Sequence, residues 1–516
     1  MGMTNGIGSW LRKHCERDED KLAIVFKDKR FTYQQFNDRV NQLSHSFLDL
    51  GVRKGDRVTA LLYNSNEMLE ILFACAKLGA IFVPVNYRLS PEEVEYIVAD
   101  SGTHHFIYDE KTKPIVDSLR KYKTRITDFI YIGEHPHKMD HKYENLLRNS
   151  SNEEPSYEIN HDDIVMMMYT SGTTGRPKGA MLSHGNIQWN TINYITFLSL
   201  VKDDTTFTVA PLFHVGGLNI FTVPMLYIGG TVFIDDQFDP RRTLETIENE
   251  NITTLFLVPA MWQALSEVTN FDDYETSSLR LSLSGGAPCP ITIIEFFQKR
   301  KVKFYEGFGL TEASPFVCLL DSKSAIRKNG SVGKPPVHID VRIVDPNNYD
   351  VPTGEVGELL VKGPNVMAGY WNKPDATRET IKDGWLYTGD LAKFDEEGFI
   401  YIVDRKKDMI ITGGENVYPI EVEQSLYRHP NIKEVAIIGC PDKKWGESVK
   451  AVVSLHDDTK PFTLEELREF LDGKLARYKM PKKLKIVSAL PRNATGKILK
   501  TVLRRLEQEN ETKYVK

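Results

Sequence analysis

Cysteine is scarce in this chain: five in 516 residues, Cys15, Cys75, Cys289, Cys318 and Cys440. No two lie at metal-clip or redox spacing, which argues against a disulfide scaffold and for reduced thiols in a cytoplasmic protein. A long hydrophobic run is also missing. The most apolar stretch, 71–85, is interrupted by Lys77, Gly79 and Pro84, so it is expected to be a buried helix followed by a strand rather than a membrane span. No apolar segment follows Arg12, Lys13 and His14, and no signal peptide is expected. Gly6 stands where an N-myristoylation signal needs Ser or Thr, and the final Tyr514-Val515-Lys516 is not a peroxisomal address. Positive charge is not in excess. The net charge of -6 argues against a general nucleic-acid binder. Internal repeats and low-complexity segments are absent.

What is present is an ordinary globular composition, 41% hydrophobic and 26% charged, in a chain too long for one core. The charge is unevenly spread: from Arg405 onward it sums to +7, leaving -13 for the rest. A basic C-terminal part suits a polyanionic ligand, and equally a solvated lysine-rich surface. Strands are expected at 163–169, 205–210, 231–234, 253–258, 279–284 and 302–305. Helical patterns at 186–200, 240–250 and 259–268 alternate with them, a rhythm of βαβ units and a mostly parallel sheet. Residues 24–108 repeat the style. Between 337 and 401 short strands with turns suggest a small β-barrel-like unit. The fold class expected is therefore α/β. A large N-terminal domain, 1–404, carries the parallel sheets and the small barrel-like subdomain, and a small α+β domain, 405–516, follows.

The densest chemistry lies in Tyr169-Thr170-Ser171-Gly172-Thr173-Thr174-Gly175-Arg176-Pro177-Lys178-Gly179. Its glycines let backbone N–H groups approach phosphate oxygens, while the hydroxyls and Lys178 add donors and charge. It is expected to follow a strand and precede a helix. It is not a Walker A loop, because Pro177 and Gly179 occupy the places of the second glycine and the magnesium-binding hydroxyl.

Six further runs follow in order: Pro211-Leu212-Phe213-His214, Ser284-Gly285-Gly286-Ala287-Pro288, Phe308-Gly309-Leu310-Thr311-Glu312, Tyr387-Thr388-Gly389-Asp390, Asp404-Arg405-Lys406-Lys407-Asp408 and Pro491-Arg492-Asn493-Ala494-Thr495-Gly496-Lys497. Together with the first they resemble the motif series of the adenylate-forming superfamily of acyl-CoA synthetases, luciferases and adenylation domains. The resemblance covers nearly the whole chain and is strongest to bacterial medium- to long-chain fatty acid–CoA ligases. It implies a two-step reaction with ATP, Mg²⁺ and coenzyme A, in which an acyl-adenylate forms and the acyl group then passes to a thiol.

The same resemblance assigns residues. Thr170 to Gly175 and Lys178 would hold phosphates, and Gly286, Ala287, Pro288, Glu306, Gly307, Phe308 and Gly309 would surround adenine. Phe308 stands where the family usually has Tyr, and it keeps the aromatic face. Thr311 can donate to the α-phosphate, and Glu312 is a hard oxygen ligand suited to Mg²⁺. Asp390 can accept ribose hydroxyls and Arg405 can donate to the same sugar. Lys497 supplies the cation that the attack of one anion on another requires. Lys407 matches the hinge about which a mobile C-terminal domain would turn. Gly413, Gly414 and Glu415 would line the thiol entrance, although two adjacent glycines also suit a plain strand-to-helix turn. His214 would gate or orient the acid, although a lone His in an apolar segment more often packs.

Residues 211–221 contain no acid to pair with a substrate ammonium, which disfavours amino acids; with no carrier domain following, free CoA is the expected acceptor. The expected pocket wall of His214, Val215, Gly216 and Gly285 is small, and its glycines are expected to leave room for an acid longer than acetate. A fatty acid is the expected substrate. Aryl-acid ligases, including o-succinylbenzoate–CoA ligase, share the motifs, and a luciferase-like oxygenase would share the adenylate. The basic run Arg477, Lys479, Lys482, Lys483 and Lys485 could attract anionic lipids or serve solubility and CoA phosphates. A homodimer is left open.

Overall fold

Thirteen consecutive buried residues, Asn66–Leu78, form one helix, which ends at Gly79 and passes into the buried strand Ile81–Pro84. This is the helix and strand expected of the apolar stretch, and among the described residues no helix is long and apolar enough to cross a membrane. The computed structural model describes residues 6–170, 176–442, 444–457, 459, 461–492 and 498–513, with side chains to 507.

Two eight-stranded sheets form the larger part of the molecule. In the first, the strands Leu22–Phe26, Thr231–Ile234, Thr205–Thr208, Thr254–Leu257, Leu281–Gly285 and Phe304–Gly309 run parallel, with an antiparallel strand at each edge. In the second, Ile164–Thr170, Ile81–Pro84, Arg57–Leu61, His105–Asp109, Asp128–Ile132 and His141–Lys142 are parallel. The antiparallel strands Lys178–Ser183 and Gly369–Tyr370 complete its edge. The largest apolar core contains helix Asn66–Leu78 and the inward side chains of both sheets, Ile24, Phe82, Met166 and Leu283 among them. A second core, around Trp262 and Phe297, contains Phe304 and also Leu255 and Leu257, which alternate along their strand with Phe256 of the first. This alternation is what a sheet buried on both faces requires.

Local sequence sets the helix starts. Thr32 with Gln35 and Ser90 with Glu93 form capping boxes, the latter with Pro91 in the first turn, so the orphan N–H groups there have side-chain partners. The small unit expected between 337 and 401 is a five-stranded antiparallel sheet: Asp340–Val344, Gly357–Lys362, Trp385–Phe394 and Ile381–Lys382, with Ile400–Arg405 paired to Trp385–Phe394. The final sheet pairs Ile432–Asp442 with Gly446–Leu455 and is covered by helices Pro419–Leu426 and Leu464–Leu471.

Candidate active site

The phosphate-type run does not precede a helix. It links two antiparallel strands, Ile164–Thr170 and Lys178–Ser183, with Thr170 opposite Lys178, and helix His184–Leu198 begins only after the second strand. The strand-to-helix expectation is thereby corrected: residues 178–183 form a largely buried strand between Ile164–Thr170 and the short edge strand Gly369–Tyr370. Ser171, Gly172, Thr173, Thr174 and Gly175 lie outside the described residues, but the pairing puts Thr170 and Lys178 side by side at the base of that segment.

Opposite this base stands Glu312, in the short turn Thr311–Ala313 that follows strand Phe304–Gly309. Its Oε1 accepts from Thr170 Oγ1 at 3.3 Å and from the Tyr370 hydroxyl at 2.8 Å. Among the described residues no other side chain bonds Oε2. The ammonium of Lys178 lies 5.2 Å from the centre of the Tyr370 ring. Tyr370 was not foreseen from the sequence; it arrives on the two-residue edge strand Gly369–Tyr370, far along the chain from both partners. Burial, then the Glu312 carboxylate, raise its hydroxyl above the ordinary tyrosine value, while Arg405 opposes the shift.

Arg405 belongs to the second constellation. Asp390 and Arg405 face each other across paired strands, and Arg405 Nε reaches Asp390 Oδ1 at 2.7 Å. Thr388 Oγ1 donates to Leu359 O at 2.7 Å and accepts from Asp390 N at 3.1 Å, which fixes the turn before the carboxylate. The structure thus brings together the two residues expected to contact one sugar.

At the C-terminal ends of the parallel strands, where such sheets open their clefts, Gly285 is opposite Gly307 and Ser284 opposite Glu306. Gly286, Ala287 and Pro288 are exposed just beyond, and Phe308 is half-buried against the small antiparallel unit, with Gly309 exposed beside it. Glu306 is buried. Cys289 N donates to its Oε2 at 3.3 Å, Oε1 has no partner among the described residues, and burial pushes the carboxyl up to about 8.

The pocket wall differs from expectation. A Cβ on Gly216 would lie 3.2 Å from Phe256 Cε1, and one on Gly285 would lie 3.3 Å from Phe256 Cε2. These glycines admit the ring of Phe256, which sequence reasoning missed, rather than leaving open space. Val215 is buried, and His214 caps the short turn Val215–Gly217 by accepting from Gly216 N at 3.1 Å.

In the C-terminal part, Gly413 and Gly414 form the two-residue turn of a β-hairpin between Ile410–Thr412 and Glu415–Val417, both with positive φ (+63° and +87°). That is a hairpin turn, not the strand-to-helix turn considered from sequence, and φ > 0 at both central residues is what such turns demand. Gly413, Gly414 and Glu415 are exposed, beside Trp445, which was not foreseen. Lys407 is exposed between Lys406, paired with Glu358 at 2.9 Å, and Asp408, paired with Arg504 at 2.7 Å. Lys497 lies outside the described residues; Arg492 pairs with Ile498, which closes the base of its segment. In the basic run, Lys479 is tied to Glu421 and Lys485 to Glu507, while Lys482 lies over Trp445.

Comparison with known proteins agrees with this layout. Residues 11–371 match the AMP-binding enzyme family and residues 421–497 match the AMP-binding enzyme C-terminal domain. The chain is 41% identical over 500 residues to a feruloyl-CoA synthase of Amycolatopsis sp, covering 97% of this chain and 99% of that one. It is 37% identical over 504 residues to a long-chain-fatty-acid–CoA ligase of Mycobacterium tuberculosis, covering 96% and 98%. Among solved structures, the o-succinylbenzoate coenzyme A synthetase of Bacillus subtilis in complex with ATP and magnesium ion matches with a TM-score of 0.84 and 31% identity, covering 96% of this chain and 98% of that one. The chain belongs to the AMP-binding enzyme family, the adenylate-forming acyl-CoA synthetase superfamily. It is an AMP-forming acid–thiol ligase that joins a carboxylic acid to CoA.

Proposed function

We propose that this ligase activates a compact, flat aromatic acid of the arylpropenoic or arylacetic kind. The observation that carries this reading is the ring of Phe256 seated against Gly216 and Gly285. The ring fills the space beside these two glycines that a longer chain would need, and it offers an aromatic surface near bare backbone at Gly307. Aromatic rings gain about 0.5–1.5 kcal/mol from such contacts beyond their burial. The relatives that act on feruloyl and succinylbenzoyl groups support it, and the long-chain relative marks the competing fatty acid reading.

In the first step a carboxylate oxygen of the acid attacks the α-phosphorus of ATP and pyrophosphate leaves. Thr170, Lys178 and the segment 171–175 would hold the phosphates, Thr311 the α-phosphate, Phe308 and Gly286–Pro288 the adenine, and Asp390 with Arg405 the ribose. Glu312 fits Mg²⁺, since one oxygen is held by two protein donors and the other is unclaimed among the described residues. With no group of three or more His, Cys, Asp or Glu there that could cage a metal, the ion would be held by one carboxylate and the phosphates, its usual mode. When bound, Mg²⁺ would offset phosphate charge. Lys497 would stabilise charge on the pentavalent phosphorus. In the second step the CoA sulfur attacks the acyl carbonyl and AMP leaves, with Gly413, Gly414 and Glu415 at the thiol entrance. The division lies between 1–404 and 405–516, with Lys407 as the pivot.

Competition among ferulate, 4-coumarate, indoleacetate and C4–C16 fatty acids, read as thioesters by mass spectrometry, tests the substrate class. An aromatic acid should lead in kcat/KM by at least about tenfold, equivalent to about 1.4 kcal/mol. A maximum at a long alkyl chain would restore the fatty acid reading.

A further inference from the structure

Lys178 and Glu312 are opposite charges at one corner of the site, yet they make no ion pair within 4 Å. What lies against both is Tyr370. Its hydroxyl donates to Glu312 Oε1 at 2.8 Å, and its ring carries the Lys178 ammonium 5.2 Å from the centroid. The ring is held in place from its own backbone: Tyr370 N donates to Thr377 Oγ1 at 2.9 Å, and Tyr370 pairs with Ala180 across the sheet edge. The residue is buried, so these contacts are made by a fixed group rather than a mobile surface side chain.

We propose that Tyr370 is a positioning residue that holds Lys178 and Glu312 apart and keeps both available to metal-bound ATP. Left without a spacer, an ammonium and a carboxylate at this corner would neutralise each other, and incoming phosphates would first have to break that pair. With Tyr370 engaging both, the cation rests on a π face, where attraction is modest. The carboxylate has one oxygen occupied by Tyr370 and Thr170, so its other oxygen, unclaimed among the described residues, takes a fixed direction. Partners of this kind, bonded to a metal ligand, commonly govern metal affinity by about 10- to 100-fold. The inference rests on the reading of Glu312 as the Mg²⁺ ligand and of Lys178 as a phosphate contact.

The test uses the full chain and measures Mn²⁺ binding by electron paramagnetic resonance in the presence of α,β-methylene-ATP. It compares wild type with Tyr370→Phe, Thr170→Val and Glu312→Gln. Tyr370→Phe keeps the ring and its packing, and thermal melting confirms that it folds. The expected result is an approximately tenfold or greater loss of Mn²⁺ affinity in Tyr370→Phe, a smaller loss in Thr170→Val and the largest in Glu312→Gln. The KM for the acid should stay unchanged in Tyr370→Phe. Wild-type metal affinity in Tyr370→Phe beside a loss in Glu312→Gln would show that Tyr370 only packs, and would overturn the proposal. Wild-type affinity in Glu312→Gln would instead remove the reading of Glu312, and the proposal with it.

Discussion

Glu306 is the residue whose environment conflicts most plainly with its ordinary charge. Its carboxyl is buried, receives one backbone N–H from Cys289 and is pushed up to about 8 by burial. The folded protein therefore keeps a proton that the unfolded chain gives up near the ordinary carboxylate value of 4.5. A raised folded value means that the contribution to stability is complete below about pH 4.5 and is lost as pH rises through about 8. Glu306→Gln should melt close to wild type at pH 5 and at clearly higher temperature at pH 8, because every pH unit spent between those two values costs the wild type about 1.4 kcal/mol. Parallel melting curves at both pH values would contradict this. Phe256 gives a second residue-scale prediction. Phe256→Leu should shift preference from aromatic toward longer alkyl acids by about tenfold or more in the ratio of kcat/KM values, since each added buried methylene is worth about 0.8 kcal/mol. An unchanged ratio would mean that the ring does not bound the acid.

At the scale of elements, what the sequence made legible followed from local pattern, and what it hid followed from distance along the chain. Helix Pro240–Glu250 and strand Thr231–Ile234 were read to the residue, because Pro at the helix start and a β-branched run are strong local signals. The strand Lys178–Ser183 was missed because Lys-Gly-Ala-Met-Leu-Ser has little β propensity; its pairing with Ile164–Thr170 makes it a strand. Tyr370 and Phe256 carried no motif, and their roles exist only through contacts with residues far away in sequence. The pairing of Asp390 with Arg405 was legible from the order of motifs, and the register of two strands explains it. The Gly413-Gly414 hairpin carries its own prediction. Gly414→Ala forces a side chain into φ +87°, a strain on the order of 1 kcal/mol, at a position where the added methyl meets nothing within 4 Å. Adenylate formation, followed as pyrophosphate release without CoA, should be near wild type, while thioester formation should fall several-fold. Equal loss in both half-reactions would remove the hairpin from the thiol entrance.

The whole molecule joins an acidic larger part to a basic smaller one, +7 from Arg405 onward and -13 before it, and the junction is tied by specific charges. Asp404 accepts backbone N–H groups from Arg405 and Ile420, Arg504 holds Asp408, and the half-buried Lys500 holds Glu423. Of these contacts, the one between Asp404 and Ile420 spans the division at Lys407 and a turn of the C-terminal part would break it, whereas Arg504–Asp408 and Lys500–Glu423 lie within that part and would travel with it. The molecule's chemistry is tested most directly by following an oxygen atom. An aromatic acid labelled with ¹⁸O in its carboxylate is incubated with enzyme, ATP, Mg²⁺ and CoA, and the nucleotide product is weighed. The account predicts aryl-CoA together with AMP carrying one ¹⁸O, because a carboxylate oxygen becomes bonded to the α-phosphorus and stays there when the thiol attacks. Unlabelled AMP, release of ADP, or label transfer with fatty acids but not with aromatic ones would contradict it.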